Sequence, residues 1–259
     1  MTSSPIDRHQ IDFPLNQGIT SEVVYRLIDA ICSYQQAHDI QGDMMEIGVL
    51  SGATSGYLSL FLAKESRLFL IDPYQDLDRV ATSIAGFSGV DRSRILCFSE
   101  DSRLVYRMKT FFLDGFMPQF QVVHVDGEHS FDAVVNDIHL AEAYLARGGV
   151  VILDDIFNVA SACCTHALFE TIRNMPSLHI ACIGFNKAFL CDSQHLGAYR
   201  KLFLSLPVNL ARRHGLHIRA CLNDWSQERG YVSIHEINEN EPPYQAINRL
   251  VDDFGSLFS

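Results

Sequence analysis

Three aspartates, Asp126, Asp154 and Asp155, end two apolar runs, FQVVHVD (120–126) and GVVILDD (149–155). In an open α/β sheet, ligands meet the residues that leave the carboxyl ends of the strands. Three carboxylates on one such edge repel one another unless a cation lies between them, and an all-oxygen donor set points to a hard divalent ion, Mg²⁺ first. His129 follows Asp126 by three residues across the turn. Its imidazole can therefore reach a hydroxyl bound at that ion and, with an ordinary pKa of about 6.5, accept a proton near neutral pH. The plainer alternative is that each acid caps the helix after its strand and that His129 packs in the turn.

A second group of residues suits a nucleoside. The run MMEIGV leaves through Glu46-Ile47-Gly48-Val49-Leu50-Ser51-Gly52, where two glycines let the backbone turn tightly and approach a ligand. Asp72 ends the next run, RLFLID, 24 residues after Gly48, near the spacing at which an acid meets a ribose diol. The glycine spacing departs from GxGxxG, so a pyrophosphate and a nicotinamide dinucleotide fit poorly. Asp101 and Ser102, after RILCFS, are placed to bond an adenine edge or to cap the next helix. Ordinary turn chemistry would account for the glycines alone, and a helix cap for Asp72.

Positioning these residues requires a parallel sheet. Short apolar runs at 44–49, 67–72, 94–99, 120–126 and 149–155 alternate with amphipathic segments, as βαβ crossovers do. Val24, Leu27, Ile28, Ile31 and Tyr34 predict a helix over 20–38 behind Thr20 and Ser21; Phe131, Val134, Ile138, Ala141 and Leu145 predict another, ending at Gly148 and Gly149. LHIACIGF and KAFLCD are separated by Asn186 alone, so they form a hairpin or a bulged strand. Beyond 192 a helix over 194–206 stops at Pro207, strands follow at 217–222 and 231–237, and Ile247, Leu250, Val251 and Phe254 mark a last helix after Pro242-Pro243. Residues 1–17, with Pro5 and Pro14, read as an arm. The expected organisation is an arm and cap helix (1–40), a cofactor-binding unit (41–192) and an appendage (193–259).

The net charge of −11 and the absence of any Lys/Arg run argue against nucleic acid as the main partner. No signal-like N-terminus and no stretch of about 18 apolar residues occurs, so a cytoplasmic location with no membrane is expected. Seven cysteines without CxxC spacing read as reduced structural thiols.

Together EIGVLSG, the acid in LFLIDPY, VDGEHSFDAVVNDI and GGVVILDD resemble class I S-adenosylmethionine-dependent methyltransferases. The likeness is greatest to the metal-dependent O-methyltransferases acting on sugars of macrolide and aminocoumarin natural products. The likeness covers about residues 20–192; with the pattern of runs above, the expected fold is Rossmann-like α/β, a seven-stranded, mostly parallel sheet with an antiparallel terminal hairpin, an N-terminal helical cap and a C-terminal α/β appendage. The resemblance implies that Glu46, Gly48, Ser51 and Gly52 line the methionine part of S-adenosylmethionine, that Asp72 holds the ribose, and that Asp101 and Ser102 meet the adenine. Asp126, Asp154 and Asp155 would bind Mg²⁺, and His129 would be the general base. The expected partner is a small-molecule hydroxyl acceptor, and a homo-oligomer is expected. The catechol branch has Asp-Asn where Asp154-Asp155 stand and uses a lysine base; Lys109 and Lys187 are not in the equivalent loop, which argues against catechol acceptors. A metal-dependent hydroxylase or hydrolase would leave Asp72 and the glycine turn unused, and a cofactor-binding scaffold would leave the acids and His129 unused.

Overall fold

The computed structural model describes residues 13, 20–108, 117–223 and 230–237. Among them, β1 (Asp43–Ile47), β2 (Leu68–Ile71), β3 (Ile95–Phe98), β4 (Phe120–Val125) and β5 (Leu145–Leu153) pair in parallel in the order β3-β2-β1-β4-β5. Alternate strand residues point to opposite faces, and both faces are covered. Met44, Leu68 and Leu70 pack toward α1 (Glu22–Ala37), α2 (Ala53–Leu58) and α3 (Leu77–Ser88), while Met45, Phe69 and Ile71 pack toward α4 (Ser102–Met108), α5 (Phe131–Ala143) and α6 (Ala162–Asn174). Burial on both sides is why these strands read as unbroken apolar runs.

The hairpin forms from β6 (Leu178–Gly184) and β7 (Lys187–Asp192). Its turn is Phe185-Asn186, both at positive φ (53° and 64°), the conformation that matches the twist of two antiparallel strands. The later strand, β7, lies between β5 and β6 and is antiparallel to both. The sheet does not stop there. After α7 (Leu196–His214), β8 (Ile218–Leu222) and β9 (Val232–Glu236) extend it, β9 running parallel to β6, so among the described residues it has nine strands where seven were expected. Ile218, Val232 and Ile234 are buried against the main core, which accounts for this part joining the sheet.

Three further expectations are corrected. The helix expected to stop at Pro207 continues to His214; Leu206 and Leu210 are both buried, and that packing outweighs the hydrogen bond the proline removes. The helix after His129 ends at Ala143, and Leu145 already belongs to β5. Gly148, at φ 78°, sits in a shift of register between Phe120↔Leu145 and Val122↔Val150. Within the expected arm, Phe13 is buried, its ring edge-on to Phe87 at 5.2 Å. The remainder of 1–17 and the expected helix at 247–254 lie outside the described residues.

Gly48 illustrates how closely the carboxyl edge is packed. It adopts φ 78°, and a Cβ there would lie 1.8 Å from the Asp126 carbonyl oxygen. Gly48→Ala should cost roughly 2–3 kcal/mol of stability, the range for a strained and overpacked site. Urea unfolding measures it, and a loss below about 0.5 kcal/mol would contradict this packing.

Candidate active site at the carboxyl edge of the sheet

Asp72 organises the first half of the edge. Its Oδ2 accepts from the backbone N–H of Val49 (2.9 Å) and Leu50 (3.2 Å), and its Oδ1 from those of Tyr74 (2.8 Å) and Gln75 (3.2 Å). A carboxylate offers about four lone-pair sites, and here backbone donors take all four. Asp72 therefore ties the β1–α2 loop, with Leu50 at φ 48°, to the end of β2. It is neither a simple helix cap nor a solvated loop acid.

Gly48, Asp72, Tyr74, Asp101, Ser102 and His129 are among the residues lining a cleft of about 380 Å³ that also reaches Asp126, within the range for small-ligand sites. Three other residues expected at the cofactor lie off this wall. Gly52 turns the chain into α2, and a Cβ there would meet Val80 at 2.4 Å. Ser51 stands in the loop beside it without lining the cleft. Glu46 is buried below: its Oε2 accepts from the Ser55 N–H (3.0 Å) and hydroxyl, and its Oε1 faces His124 Nδ1 at 2.9 Å.

On the far wall Asp101 is held by Arg103 through side-chain contacts at 2.9 and 2.5 Å and a backbone bond at 2.8 Å, which keep its carboxyl below the usual range. The same guanidinium reaches Glu128 at 3.0 Å, linking the ends of β3 and β4. The Ser102 hydroxyl donates to Asp137 at 2.5 Å, and burial pushes Asp137 up to about 6. Asp101 and Ser102 thus border the cleft with their main polar contacts already made inside the protein.

The second half of the edge gathers Asp126, His129 and Asp155, each able to offer one ligand atom within 4.8 Å of the others. His129 Nε2 lies 3.1 Å from Asp155 Oδ2 and 3.5 Å from Asp126 Oδ1, while its Nδ1 faces the Ser161 hydroxyl at 3.2 Å. Asp155 adopts φ 59°, and its Oδ1 accepts from Asn186 (2.6 Å) and Asn158 (3.0 Å), leaving Oδ2 turned toward the histidine. Burial, reinforced by the like charge of Asp154, pushes Asp126 up to about 6 against the pull of His124 and Lys187.

Asp154 does not join this cluster. Its Oδ2 pairs with the ammonium of Lys187, itself 4% exposed, and its Oδ1 accepts from the Asp155 N–H at 2.8 Å. Burial works against the Asp154 charge, but Lys187 and His124 overcome it and hold the carboxyl below its usual range. Of the expected ligand trio, Asp126 and Asp155 lie together beside His129, while Asp154 is turned away to Lys187. Sequence reasoning set Lys187 aside. A lysine opening an otherwise apolar strand was the available signal, since a buried lysine needs a carboxylate partner.

A family model described as a methyltransferase domain matches residues 45–156, the segment that carries every residue of this edge except Lys187, Asn186, Asn158 and Ser161. The match runs from within β1 to just past β5. Solved structures show the same fold. A protein from Corynebacterium glutamicum superposes with a TM-score of 0.56 at 18% identity, covering 74% of this chain and 90% of its own. An O-methyltransferase from Bacillus cereus, solved in complex with SAH, gives 0.54 at 13%, covering 73% and 90%. The calicheamicin methyltransferase CalS11 gives 0.50 at 14%, covering 74% and 94%. No curated protein matches the chain significantly, and no described helix is long and apolar enough to cross a membrane.

Within the matched segment, Asp72→Ala removes the acceptor for four buried or half-buried backbone donors. It should destabilise the protein by about 2–3 kcal/mol, since a bond to a charged acceptor contributes more than a neutral one. Thermal unfolding at unchanged melting temperature would show that the loop does not depend on it.

Proposed function

We propose that the chain is an S-adenosylmethionine-dependent O-methyltransferase acting on the hydroxyl of a small molecule, a sugar or another natural-product acceptor, with a divalent ion, Mg²⁺ first, at Asp126 and Asp155. The observation that carries this reading is one cleft that runs from Gly48 and Asp72 to Asp126 and His129, so that a nucleoside at one end lies beside a proton-accepting group at the other. The sequence resemblance and the fold shared with CalS11 and the Bacillus cereus enzyme support the reaction class and the acceptor class.

The residues present fit both groups. Asp126 Oδ1, Asp155 Oδ2 and the imidazole Nε2 converge, and three such acceptors require a proton or a cation between them. When bound, S-adenosylmethionine supplies an activated methyl group and the ion holds and polarises the acceptor oxygen. Asp126 and Asp155 would hold the ion. His129 would take the hydroxyl proton at Nε2, where Asp155 stabilises the positive ring and Ser161 fixes its other nitrogen. Gly48 and the backbone beside it would pack on the methyl donor, with Asp72 securing that loop and Asp101 and Ser102 closing the adenine side. Glu46, Ser51 and Gly52 would act from behind this wall. The cap helix and the segment after 192 would shape the acceptor side, since a nucleoside-binding core needs neither.

His129→Gln should lower kcat roughly 10²- to 10⁴-fold, the usual range for losing a general base, with the affinity for S-adenosylmethionine and for Mg²⁺ within about threefold. Methyl transfer to a panel of hydroxylated sugars and aglycones, followed beside calorimetric titrations, reads both. Loss of ion binding in this variant would make His129 a ligand and move the base elsewhere. Full-rate transfer in excess chelator would remove the ion from the mechanism, and failure to bind S-adenosylmethionine would end the reading altogether.

A further inference from the structure

The acid beside Asp155 is held by an ammonium that no catalytic step described above uses. We propose that Lys187 is a built-in cation that withdraws Asp154 from the ion site and thereby sets how strongly that site binds a divalent ion; this rests on the ion site proposed above. The geometry supports it in three ways. Asp154 and Asp155 are adjacent, yet only Asp155 turns its carboxylate to His129 and Asp126, because Asn186 and Asn158 hold its other oxygen. Asp154 Oδ2 is engaged by Lys187. His124 Nε2 is buried, has no hydrogen-bond partner and stands 3.9 Å from the same Asp154 oxygen. It therefore lies beside the Asp154 carboxylate within the protein, facing a group whose charge Lys187 already balances.

The placement depends on topology. Lys187 is the first residue of β7, pairs with Gly184 across the turn, and is 33 residues from Asp154 in sequence. The insertion of β7 beside β5, with Leu153 opposite Ala188, brings the ammonium to the end of β5. With Lys187 in place the ion site has two carboxylates. Without it, Asp154 is a third carboxylate one residue from Asp155, and each added anionic oxygen strengthens the hold on a hard cation.

The test is a double-variant cycle read by Mn²⁺ binding, from the electron-spin resonance of free Mn²⁺ and by calorimetry, on the full chain. Asp154→Asn in the otherwise native protein should leave the Mn²⁺ dissociation constant within threefold. Lys187→Met should lower it at least tenfold, and adding Asp154→Asn to Lys187→Met should reverse that gain. A tenfold weakening in Asp154→Asn alone would make Asp154 a ligand and overturn the proposal. An unchanged constant in folded Lys187→Met would do the same, showing that Asp154 turns to His124 instead. If Lys187→Met does not fold, the Asp154→Asn arm still decides. Mn²⁺ binding by Lys187→Met but not by the native chain would uphold the proposal while removing the ion from the proposed reaction. If no form binds Mn²⁺, the proposal and the ion fall together, and S-adenosylmethionine binding in the same titrations shows whether the methyltransferase reading survives.

Discussion

Four ionisable side chains lie in a row beneath the carboxyl edge of the sheet: Glu46 on β1, His124 on β4, Asp154 at the end of β5 and Lys187 on β7. Three of the four are nearly inaccessible to solvent. Charges taken out of water are costly unless each finds a partner, and breaking a buried pair typically costs about 3–5 kcal/mol. The row therefore fixes how these four strands align, because a slip of one residue would strand a charge in the core. It also separates two kinds of acid at the edge. Those in the row are satisfied from below, while Asp126 lines the cleft and Asp155 turns one oxygen to His129.

The loops above obey the same accounting of polar groups. Backbone donors that leave the sheet must find acceptors, and Asp72 supplies them for two loops at once. The positive φ of Gly48, Leu50, Asp155 and Asn186 marks where the chain turns sharply to present a side chain or clear a path. Two of these four are neither glycine nor asparagine, and conformations of that kind are retained where surrounding bonds hold them in place. Asp155 is held by Asn186 and Asn158, so the hairpin turn braces a residue of the candidate centre.

Much of this was legible in the sequence because it is local. The parallel strands follow from apolar runs buried on both faces, and the acids at their ends follow from the strand boundaries. Asp126 and His129 are three residues apart, so their meeting needed no tertiary information. The partnership of Lys187 with Asp154 was not legible, since it depends on β7 entering between β5 and β6 with reversed direction, and no local pattern specifies that order. The partners of Glu46 were not legible for a related reason: Ser55 and His124 become its neighbours only when β1 pairs with β4 and α2 folds back. The helix through Pro207, and the joining of the two expected late strands to the main sheet, were likewise decided by burial at Leu206, Leu210, Val232 and Ile234.

In the proposed function one cleft joins a nucleoside site at Gly48 and Asp72 to Asp126 and His129, with Asp155 against the histidine. A crystal structure of the chain with S-adenosylhomocysteine and Mn²⁺, with anomalous scattering locating the metal, tests it most directly. Nucleoside density is expected against the β1–α2 loop, with one anomalous peak between Asp126 and Asp155 and Asp154 still on Lys187. Nucleoside density elsewhere, or a peak ligated by Asp154 with Lys187 displaced, would contradict it.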